Sequence, residues 1–346
     1  MREVNMDKII NKEIRLKKRP IGLPDESNFE LATTVLSDIG QDEFIVRNIY
    51  MSVDPYMRPR MNDVKSYIPP FKVGEVLDGS AVGEIIISNN ANYKTSEYVL
   101  SMMGWREYFI SNGQNLIKIK PDIAPLRSYL GTLGLTGFTA YIGLMKIGCL
   151  KGGEKVFVSA AAGAVGSIVC QIAKIHGCYV VGSAGSQDKI DWLKNVAGVD
   201  EAFNYKERSN LSDKLGDLFP SGIDLYFDNV GGDHLEAAID NMNSYSTIVM
   251  CGGISSYNAS EKQPGPCNLF KVVAKSLTLK GFIVSNYMDQ MPPFYSEMSQ
   301  WIKEGKIKWE ETILEGIENA PEAFLKLFRG DNMGKMLVKV GHNEND

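Results

Sequence analysis

The sequence predicts an α/β fold, a doubly wound parallel sheet joined to a β-rich domain. Two features predict it. From about residue 135 short apolar strands alternate with amphipathic helices, the rhythm of a parallel sheet with crossover helices. The first third instead strings short apolar runs between turn residues, with prolines at 20, 24, 55, 59, 69 and 70, as a partly open barrel would. With 346 residues, two domains are expected, with boundaries at 1–134 plus 309–346 and 135–308.

In the first domain, residues 44–50, 83–87 and 105–110 read as strands. In the second, Lys155-Val-Phe-Val is a strand, and residues 164–175 space Val165, Ile168, Val169 and Ile172 along one helical face. A strand at 179–181 and a helix at 188–196 follow. Then come a strand at 224–227, a helix at 234–242, a strand at 247–250, a helix around 269–274 and a strand within 277–284. After Pro293 an amphipathic helix runs to Lys303, and residues 335–340 form a final strand that returns to the first domain.

Composition excludes several classes. A net charge of −5 leaves no basic surplus for nucleic acid. No apolar run approaches the ~20 residues of a membrane helix, and residues 1–8 lack the apolar centre of a signal peptide, with Met6 an alternative start. Cys149, Cys170, Cys178, Cys251 and Cys267 form no C-x-x-C pair and, in mostly apolar settings, are expected to be buried cytoplasmic thiols. His176, His234 and His342 join no cluster spaced to hold zinc, so no metal site is expected.

The chemistry centres on residues 159–166 (Ser-Ala-Ala-Ala-Gly-Ala-Val-Gly), between a strand and a helix. Ala161, Gly163 and Gly166 occupy the three positions of the dinucleotide (Rossmann) fingerprint, with alanine first. Gly163 admits the pyrophosphate, Gly166 lets helix and strand pack closely, and Ala164 and Val165 lead into a helix start offering free N–H groups to phosphate. The next strand ends without an acid to hold a ribose 2′-hydroxyl. Gly185 and Ser186 leave room there for a 2′-phosphate, and Lys189 can neutralise it, with Tyr205 further on. NADP(H) is therefore expected over NAD(H). The alternative is a solvated Lys189, with Asp188 on the ribose.

Several blocks in order resemble a known family. They are residues 50–58 (Tyr-Met-Ser-Val-Asp-Pro-Tyr-Met-Arg), 134–141, 160–166, 184–189, 203–206, 226–232 (Tyr-Phe-Asp-Asn-Val-Gly-Gly), 252–258 (Gly-Gly-Ile-Ser-Ser-Tyr-Asn) and 332–335 (Asn-Met-Gly-Lys). Through nearly its whole length the chain resembles the zinc-independent medium-chain reductases of the prostaglandin reductase, leukotriene B4 dehydrogenase, alkenal reductase and curcumin reductase group. The resemblance implies a GroES-like barrel built from both chain ends around the Rossmann domain, a cytoplasmic homodimer, and NADPH-dependent reduction of enones or enals. It implies that Lys189 and Tyr205 hold the 2′-phosphate, and that Asn332 and Gly334 approach the cofactor from the C-terminal segment. Asn229 and Tyr257 would lie near the nicotinamide and its ribose, with Thr136, Cys251 and Gly252 in the matching blocks. Phe282 and Val284 would border the carboxamide. Where zinc-dependent relatives carry a ligand cysteine, this chain has Met51-Ser-Val-Asp54, and it has no Gly-His-Glu motif.

Without a metal, a hydroxyl must stabilise the oxyanion formed as hydride adds to an enone. Tyr257, in a loop just after a strand, is the first candidate, and the ribose 2′-hydroxyl is its alternative. Tyr50 and Tyr56 are second candidates, with Asp54 and Arg58 tying their loop. Met288, Met291, Pro292 and Pro293 form either a lip over the site or ordinary packing. The nearest rival function is a zinc-free quinone reductase; a second is a non-catalytic NADPH-binding structural protein.

Overall fold

The computed structural model describes residues 9–341 apart from 208 and 209. The leader reading of residues 1–8, Met6 included, and His342 lie outside them.

The strands are β1 (Ile10–Leu16), β2 (Phe29–Val35), β3 (Phe44–Ser52), β4 (Ala81–Ser88), β5 (Tyr98–Ser101), β6 (Tyr108–Ser111), β7 (Ile117–Ile119), β8 (Lys155–Val158), β9 (Tyr179–Ala184), β10 (Glu201–Asn204), β11 (Ile223–Asp228), β12 (Met242–Met250), β13 (Thr278–Gly281), β14 (Glu311–Glu315) and β15 (Lys335–Lys339). The helices are α1 (Met57–Arg60), α2 (Leu135–Ile142), α3 (Gly166–Ile175), α4 (Gln187–Asn195), α5 (Leu211–Leu218), α6 (Gly232–Asn241), α7 (Phe270–Ala274), α8 (Met291–Lys303) and α9 (Ala320–Arg329). The chain divides into two compact units. One comprises residues 1–130, 312–331 and 336–346, the other 131–311 and 332–335.

The first unit is built on a sheet in the order β14-β15-β3-β4-β5-β7, with β6 also paired to β3. The pairings of β3 with β4, β6 and β15 are antiparallel. The β1–β2 hairpin packs its inward side chains into the same core, where Ile14, Leu16, Phe29, Met51, Trp105 and Phe324 are buried together. Phe29 stacks on Trp105 with planes 2° apart, and Phe324 meets both edge-on. This aromatic knot joins the amino-terminal hairpin to α9, so both chain ends complete one core.

The second unit holds the predicted parallel sheet, ordered β10-β9-β8-β11-β12-β13 with every pairing parallel. Numbered from β8, this is the 3-2-1-4-5-6 order of dinucleotide-binding folds. The strands read as apolar runs because helices cover both faces of such a sheet: Val156, Phe157, Val158, Val180, Val181, Leu225 and Phe227 are all but inaccessible.

Two expectations need correction. Cys149 and Cys267 are exposed and Cys251 is half-buried, so only Cys170 and Cys178 are buried thiols. Helix α8 begins at Met291, not after Pro293. Both prolines sit in its first turn, where a missing N–H breaks no helical bond. Met288 lies in a 3-10 turn just before it. No helix among the described residues is long and apolar enough to cross a membrane.

Candidate active site

The fingerprint loop joins β8 to α3. Ala161 is fully buried, and its N–H donates to the Ser183 carbonyl on β9 at 2.9 Å. Alanine is tolerated in the first position because glycine faces it: a Cβ on Gly182 would stand 2.7 Å from the Ala161 methyl. Gly166 is obligatory, since a Cβ there would lie 2.4 Å from the Ala160 carbonyl oxygen and 2.8 Å from the Ala161 Cα. Helix and loop thus touch through backbone, as a pyrophosphate-binding turn requires. No side chain caps the start of α3 at Val165; the Ser167 and Ile168 N–H groups already donate to the Gly163 and Val165 carbonyls, which leaves the Gly166 N–H to face an anion.

The segment 332–335 braces this loop. Gly334 forms a β-bridge with Gly163, its N–H donating to the Ala162 carbonyl at 2.9 Å. It adopts φ +63°, and a Cβ there would run into the Glu310 carbonyl at 2.0 Å, so no other residue fits. The Asn332 amide donates to the Gly334 carbonyl at 2.8 Å, which holds Asn332 beside the fingerprint.

At the end of β9, Gly185 faces the turn after β10. A Cβ on it would meet Lys206 Cε at 3.1 Å and the Tyr205 hydroxyl at 3.2 Å. Ser186 offers α4 no side-chain cap, and Lys189 lies half-buried in that helix's first turn, whereas Asp188 is exposed. Lys206 is an addition to the predicted set. Its place directly after Tyr205 was its only signal in the sequence.

At the ends of β11 and β12 a buried polar network fixes the loops. Asp228 Oδ1 accepts from the Tyr226 hydroxyl (2.7 Å) and from the N–H groups of Val230 (2.9 Å) and Gly231 (2.8 Å). Its backbone carbonyl accepts from the N–H groups of Cys251 and Gly252. Ser159 Oγ accepts from the Asn229 N–H at 3.0 Å, and the Asn229 side-chain amide donates to the Ser159 carbonyl at 2.8 Å. Burial pushes the Asp228 carboxyl up, and its Oδ2 has no partner among the described residues. Sequence reasoning took Asn229 from this motif and missed Asp228, Tyr226 and Ser159.

Tyr257 belongs to the same cluster. Its hydroxyl oxygen accepts from the Gly253 N–H at 3.3 Å and lies 3.4 Å from where a Gly252 Cβ would be. Accepting that bond leaves the phenolic proton free to donate outward. Burial, then proximity to Cys251 and Asp228, pushes the phenol up despite the Gly253 bond, which keeps it protonated at neutral pH. Burial, then the nearby Asp228 charge, pushes the Cys251 thiol up to about 12, so it is no nucleophile at neutral pH.

Phe282 follows β13, its ring tip 3.1 Å from a Cβ built on Gly143, and Val284 opens the next 3-10 turn. Thr136 donates its hydroxyl to the Gly131 carbonyl at 3.1 Å near the start of α2. In the other unit Tyr50 is buried in β3 at 3% exposure, with Lys339 Nζ 6.0 Å from its ring centre. Tyr56 carries a buried hydroxyl without a partner among the described residues, its pKa raised by burial and then by Asp54. Arg58 donates to the Gly22 carbonyl and the Asn62 side chain, both at 2.8 Å, and Ser52 donates to Asp54, so these two charges tie the loop.

Along the carboxyl edge the features stand in spatial order. Tyr205, Lys206, Gly185 and Lys189 lie by β10 and β9, and the glycine loop follows β8. Asn229 then follows β11, Tyr257 the end of β12, and Phe282 the end of β13. The phosphate loop falls beside the strand-order reversal between β8 and β11, where ligands bind in such sheets. This fold and edge define a nicotinamide-nucleotide oxidoreductase, and the adenosine end, basic at Lys189 and Lys206 and without an acid at the end of β9, fits NADP(H).

Residues 12–119 match the family described as the N-terminal domain of oxidoreductase, and residues 164–304 match the family described as zinc-binding dehydrogenase. No group of three or more His, Cys, Asp or Glu among the described residues could hold a metal ion. The chain is 43% identical to an NADP(+)-dependent 2-alkenal reductase of Nicotiana tabacum, covering 96% of this chain and 98% of the relative. It is 43% identical to prostaglandin reductase 1 of Bos taurus, over 94% and 98% of the two chains. The crystal structure of CurA from Vibrio vulnificus in complex with NADPH superposes with a TM-score of 0.90 at 39% identity, covering 96% of this chain and all of the other. The chain belongs to the zinc-independent medium-chain dehydrogenase/reductase family, in its NADP-dependent alkenal and prostaglandin reductase group.

Proposed function

We propose that the protein reduces the carbon–carbon double bond of α,β-unsaturated ketones and aldehydes with NADPH. When bound, NADPH supplies the hydride for the β-carbon. Lys189 and Tyr205, with Lys206, hold the 2′-phosphate, and the Gly166 amide at the start of α3 holds the diphosphate beside Asn332 and Gly334. Asn229, clamped to Ser159, orients the nicotinamide end, with Thr136, Cys251, Gly252, Phe282 and Val284 around it.

The observation that carries the proposal is the Tyr257 hydroxyl. Its oxygen is already hydrogen-bonded to the Gly253 N–H, which leaves its proton free for a partner outside the network. Tyr257 donates to the carbonyl oxygen as charge gathers there, and a preorganised donor of this kind lowers the barrier. A proton taken up from solvent then reaches the α-carbon, which neutralises the enolate. Tyr56, whose hydroxyl is protonated and without a described partner, and Tyr50 are second candidates for substrate contact.

Residues 1–134 plus 309–346 are taken as the GroES-like substrate domain and residues 135–308 as the NADP-binding domain. The protein works as a cytoplasmic homodimer. In support, α7 presents Phe270 at 78% and Val273 at 71% exposure next to β13, the last strand of the parallel sheet.

The test is NADPH consumption against a panel of enals, aryl enones and quinones, with product analysis. A saturated product with its carbonyl intact is expected. Preference for quinones would favour a quinone reductase. Tight NADPH binding without turnover of any acceptor would favour a structural protein.

A further inference from the structure

His234 stands in the first turn of α6 and is only 6% exposed. It touches three groups from the adenosine end of the sheet. Nε2 shares a hydrogen bond of 3.1 Å with Ser183 Oγ on β9. Its ring lies 6.5 Å from that of Phe157 on β8, with planes 4° apart. Its other neighbour is Tyr205, with centroids 5.1 Å apart and planes at 73°, an edge-to-face pair.

Tyr205 needs such a support. It is exposed and lies in a three-residue 3-10 turn, Tyr205–Glu207, that buries none of its own side chains. The backbone holds that turn through Lys206 N–H donating to Asn204 Oδ1 at 3.1 Å. Nothing in that bond fixes where the Tyr205 ring points. His234 fixes it from below. Burial lowers the imidazole pKa to about 4, against a weaker opposing pull from Asp233, so the ring is neutral at pH 7. It therefore offers shape and one hydrogen bond, not a positive charge for phosphate.

We propose that His234 is a positioning residue for nucleotide specificity: locked by Ser183, its ring sets the direction of Tyr205 and so the geometry of the 2′-phosphate pocket that Gly185, Tyr205 and Lys206 frame. This rests on the NADPH assignment above. NAD(H), lacking the phosphate, does not use that geometry, so His234 separates the two nucleotides without touching either.

The test is calorimetric titration of the whole protein with NADP+, NAD+, adenosine 2′,5′-bisphosphate and 5′-AMP, with a thermal melt of each variant. In His234→Leu, NADP+ and the bisphosphate should bind about two- to tenfold more weakly, the range for losing one aromatic pair, with NAD+ and 5′-AMP unchanged within about twofold. His234→Phe, which keeps the ring and gives up the Ser183 bond, should restore part of the phosphate preference. In a Tyr205→Ala background, His234→Leu should cost nothing further. If the leucine variant does not fold, Ser183→Ala, which keeps the ring and removes its hydrogen bond, should still show a selective loss of NADP+ and the bisphosphate, as large as that of His234→Phe. Wild-type affinities in the leucine variant, an equal loss for NAD+, or a full additional loss on top of Tyr205→Ala would overturn the proposal. A wild-type protein binding NADP+ no tighter than NAD+ would instead overturn the NADPH assignment itself.

Discussion

The alanine in the first fingerprint position makes a sharp demand on its neighbour across the strands. Adding a methyl at Gly182 would place it 2.7 Å from the Ala161 methyl and 3.3 Å from Leu193 Cδ1. Two carbons prefer ~3.5–4.0 Å, so the first contact is untenable, while the leucine can rotate away. Ala161 cannot yield, because its N–H is tied to Ser183 and its Cα already supports Gly166. Overpacking of this kind costs about 1–3 kcal/mol. Gly182→Ala should therefore lower the midpoint of denaturant unfolding of the nucleotide-binding unit and weaken NADP+. Ala161→Gly should do little alone but should recover most of the loss in the double variant, giving a coupling of about 1 kcal/mol or more. The measurements are urea melts followed by tryptophan fluorescence and NADP+ titration. A Gly182→Ala protein as stable as wild type, or a double variant as damaged as the single, would refute the steric account.

Tyr257→Phe should cut turnover on an enone by roughly one to three orders of magnitude, as for a lost oxyanion or acid group, with NADP+ affinity unchanged; full activity would remove the tyrosine from the mechanism. Lys189→Ala should raise the KM for NADPH by about tenfold, the loss of one charge-assisted contact, and leave that for NADH unchanged, as steady-state kinetics with both nucleotides would show. His234 makes stability acid-sensitive. Its folded pKa of about 4 lies below the ordinary 6.5, so between these values the unfolded chain takes up the proton and the folded chain does not. Stability is full above pH 6.5 and falls toward pH 4, by roughly 3 kcal/mol at ~1.4 kcal/mol per pH unit. His234→Phe should flatten that part of the stability–pH curve, and an unchanged slope would count against the buried neutral ring. Phe270→Asp with Val273→Asp should shift the protein from dimer to monomer in sedimentation, and a persistent dimer would place the interface elsewhere.

Much of the parallel sheet was legible because its central strands are uninterrupted apolar runs. Residues 156–158 and 225–227 are apolar on both faces, as strands covered on both sides are, and their short length between turn residues favours strand over helix. β10 was not legible. Glu201-Ala-Phe-Asn is a four-residue edge strand with a polar residue at each end, and only its pairing with β9 makes it a strand. α5 was also missed, although Asn210 caps it by accepting from the N–H groups of Ser212 and Asp213. Within the site, the glycines and Tyr257 announced themselves through motif and position. Asp228 did not, because its importance lies in bonds to Tyr226, Val230 and Gly231 that exist only once the chain turns. His234 was considered only as a metal ligand; its contacts to Ser183 and Tyr205 come from residues 51 and 29 positions away.

The short stretch 332–335 is assigned to the nucleotide-binding unit, while the residues on both sides of it belong to the other. During synthesis, most of the parallel sheet emerges from the ribosome well before this stretch does. The glycine loop must then wait for Gly334 to supply its last backbone bond. Nascent chains halted before that point should carry a formed sheet and a loose nucleotide loop, making NADP+ capture one of the final events of maturation.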